Sequence, residues 1–95
     1  MSIEQTILGN LVYNEAYGRK VIPFLKHEYF SDVPVRTVFD LIDSYVKTYN
    51  AFPSKEALAI DLSNRVGTPE NVFKSSKDII ESLSFDKILT REIKL

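Results

Sequence analysis

Side chains that could do chemistry are few in this sequence. His27 is the single histidine and cysteine is absent, so a zinc site would have no His-x-x-x-His pair and no thiolate ligand, and a Ser–His pair could use only His27. Asp40 and Asp43 lie one helical turn apart, where two carboxylates can bind a metal ion or share a proton. Lys47, four residues beyond Asp43, would neutralise it on a solvated helix face. We therefore interpret His27 as a surface or packing residue and the aspartates as a polar helix face, and we predict no catalytic or metal site.

The pattern of glycines disfavours nucleotide binding as well. A phosphate-binding loop needs clustered glycines followed by lysine, whereas Gly9, Gly18 and Gly67 are far apart. We therefore predict no bound cofactor, and no ATP site, within these residues. Gly9 falls inside an apolar helical pattern, where we expect it to let two helices approach closely.

Aromatic side chains are numerous enough to raise the question of base stacking. The sequence holds five tyrosines and six phenylalanines, and stacked aromatics are one route to single-stranded nucleic acid. Four of them fall on the apolar sides of helical patterns and are predicted to pack in the core. These four are Phe39, Tyr45, Tyr49 and Phe73. The pattern leaves Tyr13, Tyr29 and Phe52 unassigned, because they lie at helix ends.

The bulk composition indicates one small cytoplasmic domain. Of 95 residues, 44% are hydrophobic and 26% are charged, as is ordinary for a folded protein. Twelve basic and 13 acidic residues give a net charge of −1, without the basic excess of proteins that grip nucleic acid by its phosphates. The start has no secretory signal pattern, and no apolar run reaches the roughly 20 residues of a membrane span. We predict no membrane contact and no strong nucleic-acid binding by this domain alone.

Apolar residues recur with helical spacing along nearly the whole chain, and no stretch alternates as a strand does. The predicted segments are 3–12, 15–25 with a break near Pro23, 35–49, a short one from Ser54 to Leu62, 69–83, and 85–95. We therefore predict an all-α fold, a small orthogonal bundle of five or six helices. The segment 35–49 has the strongest pattern and is predicted to be the central core helix.

Residues with helix-capping chemistry stand before most of these segments. Their side-chain oxygens can accept a hydrogen bond from a free backbone N–H in the first turn. The predicted caps are Ser2 (in a capping box with Gln5), Ser31 or Asp32, Ser54, Thr68 and Ser84. Pro34 and Pro69 fit the first turns of their helices, because proline has no N–H to lose there.

The order of the helices and of the residues between them is itself informative. A helix at 4–11 leads through Asn14-Glu15 into a second helix, and Tyr29-Phe30 and Pro34 lead into the long helix around 38–42. Phe52-Pro53-Ser54 then precedes a short helix that reaches Leu62. This order resembles the N-terminal domain of DnaB-type replicative helicases, and the details at 28–30, 49 and 53–54 look most like the T4-like phage members. The resemblance covers residues 2 to about 65 well and the rest only in general character.

That resemblance implies a collar domain on a hexameric helicase ring. Such a domain packs against its own kind and offers a platform for primase, and a helicase loader is a further candidate partner. ATP and Mg²⁺ binding and 5′-to-3′ unwinding would belong to a motor domain of the parent protein, since the family's nucleotide-binding lysine and arginine finger have no counterpart in these residues.

The family also has a helical hairpin after its globular head. We therefore expect a head at residues 1–84 and the start of a helical arm at 85–95, cut short at Leu95. The last segment keeps an apolar stripe without a glycine or proline stop. Its residues are the predicted contact with other subunits or with a partner: Phe85, Ile88, Leu89 and Ile93.

Two other classes of function remain open from the residues. The first is a small stand-alone helical regulator that binds DNA or another protein. To bind DNA it would need Arg, Lys, Asn or Gln on an outward recognition helix, whereas 58–62 is short and apolar. A gel shift with duplex DNA and a steep salt dependence would identify it. A small enzyme would need a metal ion ordered at Asp40 and Asp43, which soaking with divalent metal would reveal.

Overall fold

The computed structural model describes residues 3–83, and within that range every regular element is helical. The α-helices are α1 Ile3–Tyr13, α2 Glu15–Val21, α3 Val33–Tyr49, α4 Lys55–Asn64 and α5 Glu70–Ser82. Two 3₁₀ turns, Ile22–Phe24 and His27–Tyr29, connect α2 to α3. The prediction of an all-α fold built as a small helical bundle is confirmed. The predicted division after residue 84 lies outside the described residues.

Helix α3 is the centre of the bundle, as its apolar pattern predicts. It packs against α1, α4 and α5, while α1 also packs on α2 and α4 on α5. Val38 and Ile42 are completely buried on its inner side. Phe39 stacks on Phe30 from the connector, with ring centroids 4.8 Å apart. The apolar faces of α1, α4 and α5 therefore pack against this one long amphipathic helix.

The core is drawn from every α-helix and from the connector. Each fully buried large aliphatic or aromatic side chain contributes about 1.5–3 kcal/mol relative to exposure. The buried hydrophobic residues are Leu8, Leu11, Tyr17, Phe30, Val35, Val38, Phe39, Leu41, Ile42, Leu58, Leu62, Ile79, Ile80 and Leu83. This set includes half of the positions that helical spacing indicates within residues 3–83, and others of them, such as Val12, Val46 and Phe73, pack against it partly buried.

Two buried polar residues were not predicted from the sequence. The Asn10 side chain donates to the Thr6 carbonyl at 3.0 Å, one turn back on α1. The Ser76 hydroxyl donates to the Pro34 carbonyl at 3.5 Å, which joins α5 to the start of α3. Each donor has an acceptor, so neither residue incurs the cost of an unsatisfied buried polar group.

The helix starts agree only in part with the predicted caps. Ser54 caps α4 as expected, its hydroxyl accepting from Ala57 N–H at 3.1 Å. Asp32 is the residue before α3, but its side chain makes no capping hydrogen bond, and the Ser31 hydroxyl instead donates to Glu4 at 3.5 Å. Thr68 does not cap α5, because that helix begins one residue later, with Pro69 at the capping position. The expected cap at Ser2 lies outside the described residues.

The break predicted near Pro23 is confirmed, since α2 ends at Val21 and the chain turns through two 3₁₀ turns. Arg36 holds the end of this connector against α3, donating to the carbonyls of Phe30 at 3.0 Å and Ser31 at 3.4 Å. After α3 the chain reverses at Asn50, whose φ of 52° is left-handed. Asparagine tolerates that conformation better than most non-glycine residues.

Two residues that helical spacing places on apolar, inward-facing sides, Tyr49 in α3 and Ile3 in α1, are exposed instead. Tyr49 is 63% exposed, because it stands on the last turn of α3 and its ring contacts Tyr45, at a tilt of 50°, instead of a neighbouring helix. Ile3 is 64% exposed on the first turn of α1, whose stripe is buried only from Leu8 onward. None of the helices within residues 3–83 is both long enough and apolar enough to cross a membrane.

Candidate docking surfaces

The contact residues predicted from the sequence, Phe85, Ile88, Leu89 and Ile93, lie outside the described residues, so that prediction stays a prediction. Within residues 3–83, candidate contact surfaces are indicated by large apolar side chains left in solvent. The most exposed are Phe24 at 76% and Val66 at 96%. Tyr13 and Tyr29, unassigned from the sequence, are also exposed, at 48% and 58%.

A cleft lies between the start of α3 and the loop that joins α4 to α5. It has a volume of about 280 Å³, and its walls include Val33, Val66, Pro69 and Val72. Val33 is 51% exposed, so two of the valines offer apolar surface to solvent. The loop turns at Gly67, whose φ of +84° belongs to the left-handed region, a conformation that glycine adopts at no steric cost.

Two polar side chains of this cleft are unpaired within residues 3–83, whereas a third, the Thr37 hydroxyl, donates to the Val33 carbonyl at 2.9 Å. The Arg65 side chain lines it and forms no ion pair with any described carboxylate. The Thr68 hydroxyl lines it too and has no hydrogen-bond partner among the described residues. The first N–H groups of α5 have no side-chain cap, so the positive end of that helix dipole faces this region.

A second cleft, of about 350 Å³, lies between the start of α4 and the end of α5. Ala59 and Ile80 give it an apolar floor, and Lys55, Glu56 and Glu81 line its rim. The Lys55 ammonium donates to the Glu81 carbonyl at 2.8 Å, where it satisfies one of the last carbonyls of α5. The Lys55 ammonium is therefore already hydrogen-bonded within the domain.

The end of α3 carries an aromatic cluster that the sequence did not reveal. Tyr45 and Tyr49 pack with ring centroids 4.6 Å apart.

The turn after α3 packs closely on α2. Phe52 is half-buried against α2, where a Cβ on Gly18 would lie 2.5 Å from its ring. The Arg19 guanidinium stands 5.8 Å from the Phe52 ring centroid and donates to the Asn50 carbonyl at 3.1 Å. This close approach of α2 to the α3–α4 turn is a packing feature and presents no reactive group.

The polar side chains that could do chemistry lie in two separate pairs, His27 with Asp40 and Asp43 with Lys47. His27 Nδ1 lies 3.5 Å from Asp40 Oδ1, and its side chain is 57% exposed. Asp43 binds Lys47 at 2.8 Å, as the spacing predicts, and this hydrogen bond raises the pKa of Lys47. Among residues 3–83 no three His, Cys, Asp or Glu residues are grouped so as to hold a metal ion.

Buried ionisable groups are scarce within the described residues. Burial raises the pKa of the Tyr17 hydroxyl, because removal from water disfavours its charged form. The phenol therefore stays neutral at physiological pH and acts as a core residue. Among residues 3–83, the features left for a functional role are therefore the exposed apolar surfaces and the uncapped start of α5.

A comparison with known proteins identifies one that is similar in sequence to this helical domain. No protein-family model matches the chain. Over 80 residues, 84% of this chain, the sequence is 36% identical to the DnaB-like replicative helicase of Enterobacteria phage T4. The resemblance drawn from the order of helices and turn residues is thereby confirmed. The chain spans 17% of the length of that relative.

Proposed function

We propose that this chain is the N-terminal collar domain of a replicative DNA helicase and acts in ring assembly and primase docking. The observation that carries the proposal is the 36% identity to the T4 DnaB-like helicase over 84% of the chain. The proposed ATPase motor, which would use ATP and Mg²⁺ for 5′-to-3′ unwinding, belongs to another part of the parent protein. A helicase loader is a second candidate partner of the same domain.

Two features of the chain support a docking role. The sequence has no glycine-rich phosphate loop, so nucleotide hydrolysis would need residues from elsewhere. The connector and the α4–α5 loop leave apolar side chains such as Phe24 and Val66 in solvent, and these are available for contact with other proteins. We place the principal contact on the apolar stripe of the segment 85–95.

The test compares two charge-introducing variants of the complete protein that carries this domain. Ile88→Asp would bring a carboxylate into the proposed contact, and desolvating it weakens self-association or primase binding by roughly tenfold or more. Lys87→Asp, the adjacent polar position, is the matched control and leaves both within about twofold. Light scattering measures self-association, and titration calorimetry measures primase binding. Equal binding by both variants, or no association with either partner in the unmodified protein, would contradict the proposal.

A further inference from the structure

The cleft between α3 and the α4–α5 loop combines apolar walls with positive charge that the fold does not use. Val66 is 96% exposed at the tip of the loop, so it contributes almost nothing to the core. Val33 and Val72 extend this apolar surface into the cleft. An apolar side chain of a partner that fills this cleft would remove these valine surfaces from water, which favours binding.

The electrostatics of the cleft select the sign of the partner's charge. Arg65 has no carboxylate partner within residues 3–83, and the N-terminus of α5 lacks a side-chain cap. The acidic residues Asp32 and Glu70 are next in sequence to the cleft residues Val33 and Pro69, but neither of them lines the cleft. A carboxylate placed there would meet a free guanidinium and the positive end of a helix dipole.

We infer that this cleft docks a segment of a partner protein in which an aliphatic or aromatic side chain is followed, within one helical turn, by Asp or Glu. The apolar side chain fills the space between Val33, Val66 and Val72, and the carboxylate pairs with Arg65. The Thr68 hydroxyl, which does not cap α5, is a further donor for that carboxylate. This inference rests on the proposed docking role and names its partner's chemistry.

The second cleft does not support the same inference. Its lysine, Lys55, is already bonded to the Glu81 carbonyl at 2.8 Å, and the carboxylates of Glu56 and Glu81 stand on the same rim. An acidic segment would meet like charge there. Charge complementarity therefore favours the cleft beside Arg65.

The experiment selects a displayed library of random dodecapeptides on the whole 95-residue chain. Enriched peptides are expected to combine Leu, Ile or Phe with Asp or Glu within one turn. Arg65→Gln weakens their binding by roughly two- to fivefold, as expected for a partly exposed ion pair. Val66→Ser weakens it by roughly tenfold through loss of apolar contact. Lys74→Gln, an exposed lysine of α5 outside the cleft, is the matched control and leaves binding unchanged.

Three outcomes would overturn the inference. They are the absence of any enriched peptide, enriched peptides without acidic residues, and equal binding by Arg65→Gln, Val66→Ser and Lys74→Gln. Circular dichroism shows that each variant is folded, which all three should be because the substituted side chains are exposed. If these variants leave peptide binding intact while Ile88→Asp still disrupts self-association or primase binding, the cleft assignment fails and the proposed function stands.

Discussion

A substitution at Gly18 measures how closely α2 approaches the turn after α3. Gly18 lies inside α2, where replacing glycine by alanine would by helix propensity alone stabilise the protein by about 1 kcal/mol. The structure opposes that gain, because a Cβ at Gly18 would lie 2.5 Å from Phe52 Cε2 and 2.7 Å from Cζ. Carbon atoms in ordinary contact are about 3.5–4.0 Å apart, so the ring has to move.

The sign of the Gly18→Ala effect depends on how freely that ring can move. Phe52 packs against the core and lies beneath the Arg19 guanidinium, which is itself bonded to the Asn50 carbonyl. Overpacking at such a site costs about 1–3 kcal/mol. After subtracting the propensity gain, we expect a net loss of about 1 kcal/mol in the free energy of unfolding. A domain of this size then melts roughly 4–8 °C lower.

The assay is a double-mutant cycle followed by thermal and urea unfolding. Ala16→Gly, at an exposed position of the same helix, measures the propensity contribution directly. Phe52→Leu removes the ring atoms that Cβ would meet, so Gly18→Ala is expected to be stabilising in that background. If Gly18→Ala raises the stability of the unmodified protein by about 1 kcal/mol, the close approach of α2 to the turn after α3 is refuted.

Two further predictions concern the polar contacts. Ser54→Ala removes the hydroxyl that accepts from Ala57 N–H and is expected to cost about 1 kcal/mol in urea unfolding. Ser44→Ala, at an exposed site in α3, should change stability by less than about 0.5 kcal/mol, and equal effects at the two serines would refute the cap. Asp43→Asn should lower the pKa of Lys47, which the Asp43 hydrogen bond raises, in an NMR titration of its ε-methylene signals. The Lys47–Asp43 pair stabilises the folded protein fully below the ordinary lysine pKa of about 10.4, because the pKa of Lys47 is higher in the folded state. That stabilisation is lost as the pH rises through the folded-state pKa. An unchanged pKa of Lys47 in Asp43→Asn would contradict the pairing.

Periodicity predicted the helices because each must bury one face. The 3–4 spacing of α3 identifies both its inner side and its central place. The same rule misplaced Tyr49, since spacing along a helix does not tell where the neighbouring helices end. Burial of Asn10 could not be predicted either, because its partner is a backbone carbonyl one turn back and its burial depends on how the bundle closes around α1.

The candidate cleft was beyond the reach of sequence reasoning. The residue types predict a helix that has Thr68 as its cap and Pro69 as its first residue. In the structure α5 begins one residue later, at Glu70. That shift leaves Thr68 beside Arg65 and Val66 in the cleft. Val33 reaches the same cleft from a distant part of the chain, so only the packed fold brings these residues together. The resemblance to DnaB-type helicases, by contrast, depends on the order of local elements, and such an order can be recognised without the packed fold.

The function proposed for this domain includes docking primase on a replicative helicase. Sedimentation velocity tests it most directly, with primase mixed either with the complete parent protein or with the same protein lacking residues 1–95. If the domain docks primase, primase co-sediments with the complete protein and sediments alone when the domain is removed, while the shortened protein keeps the ATPase activity proposed for the motor. Equal co-sedimentation of primase with both proteins would contradict it.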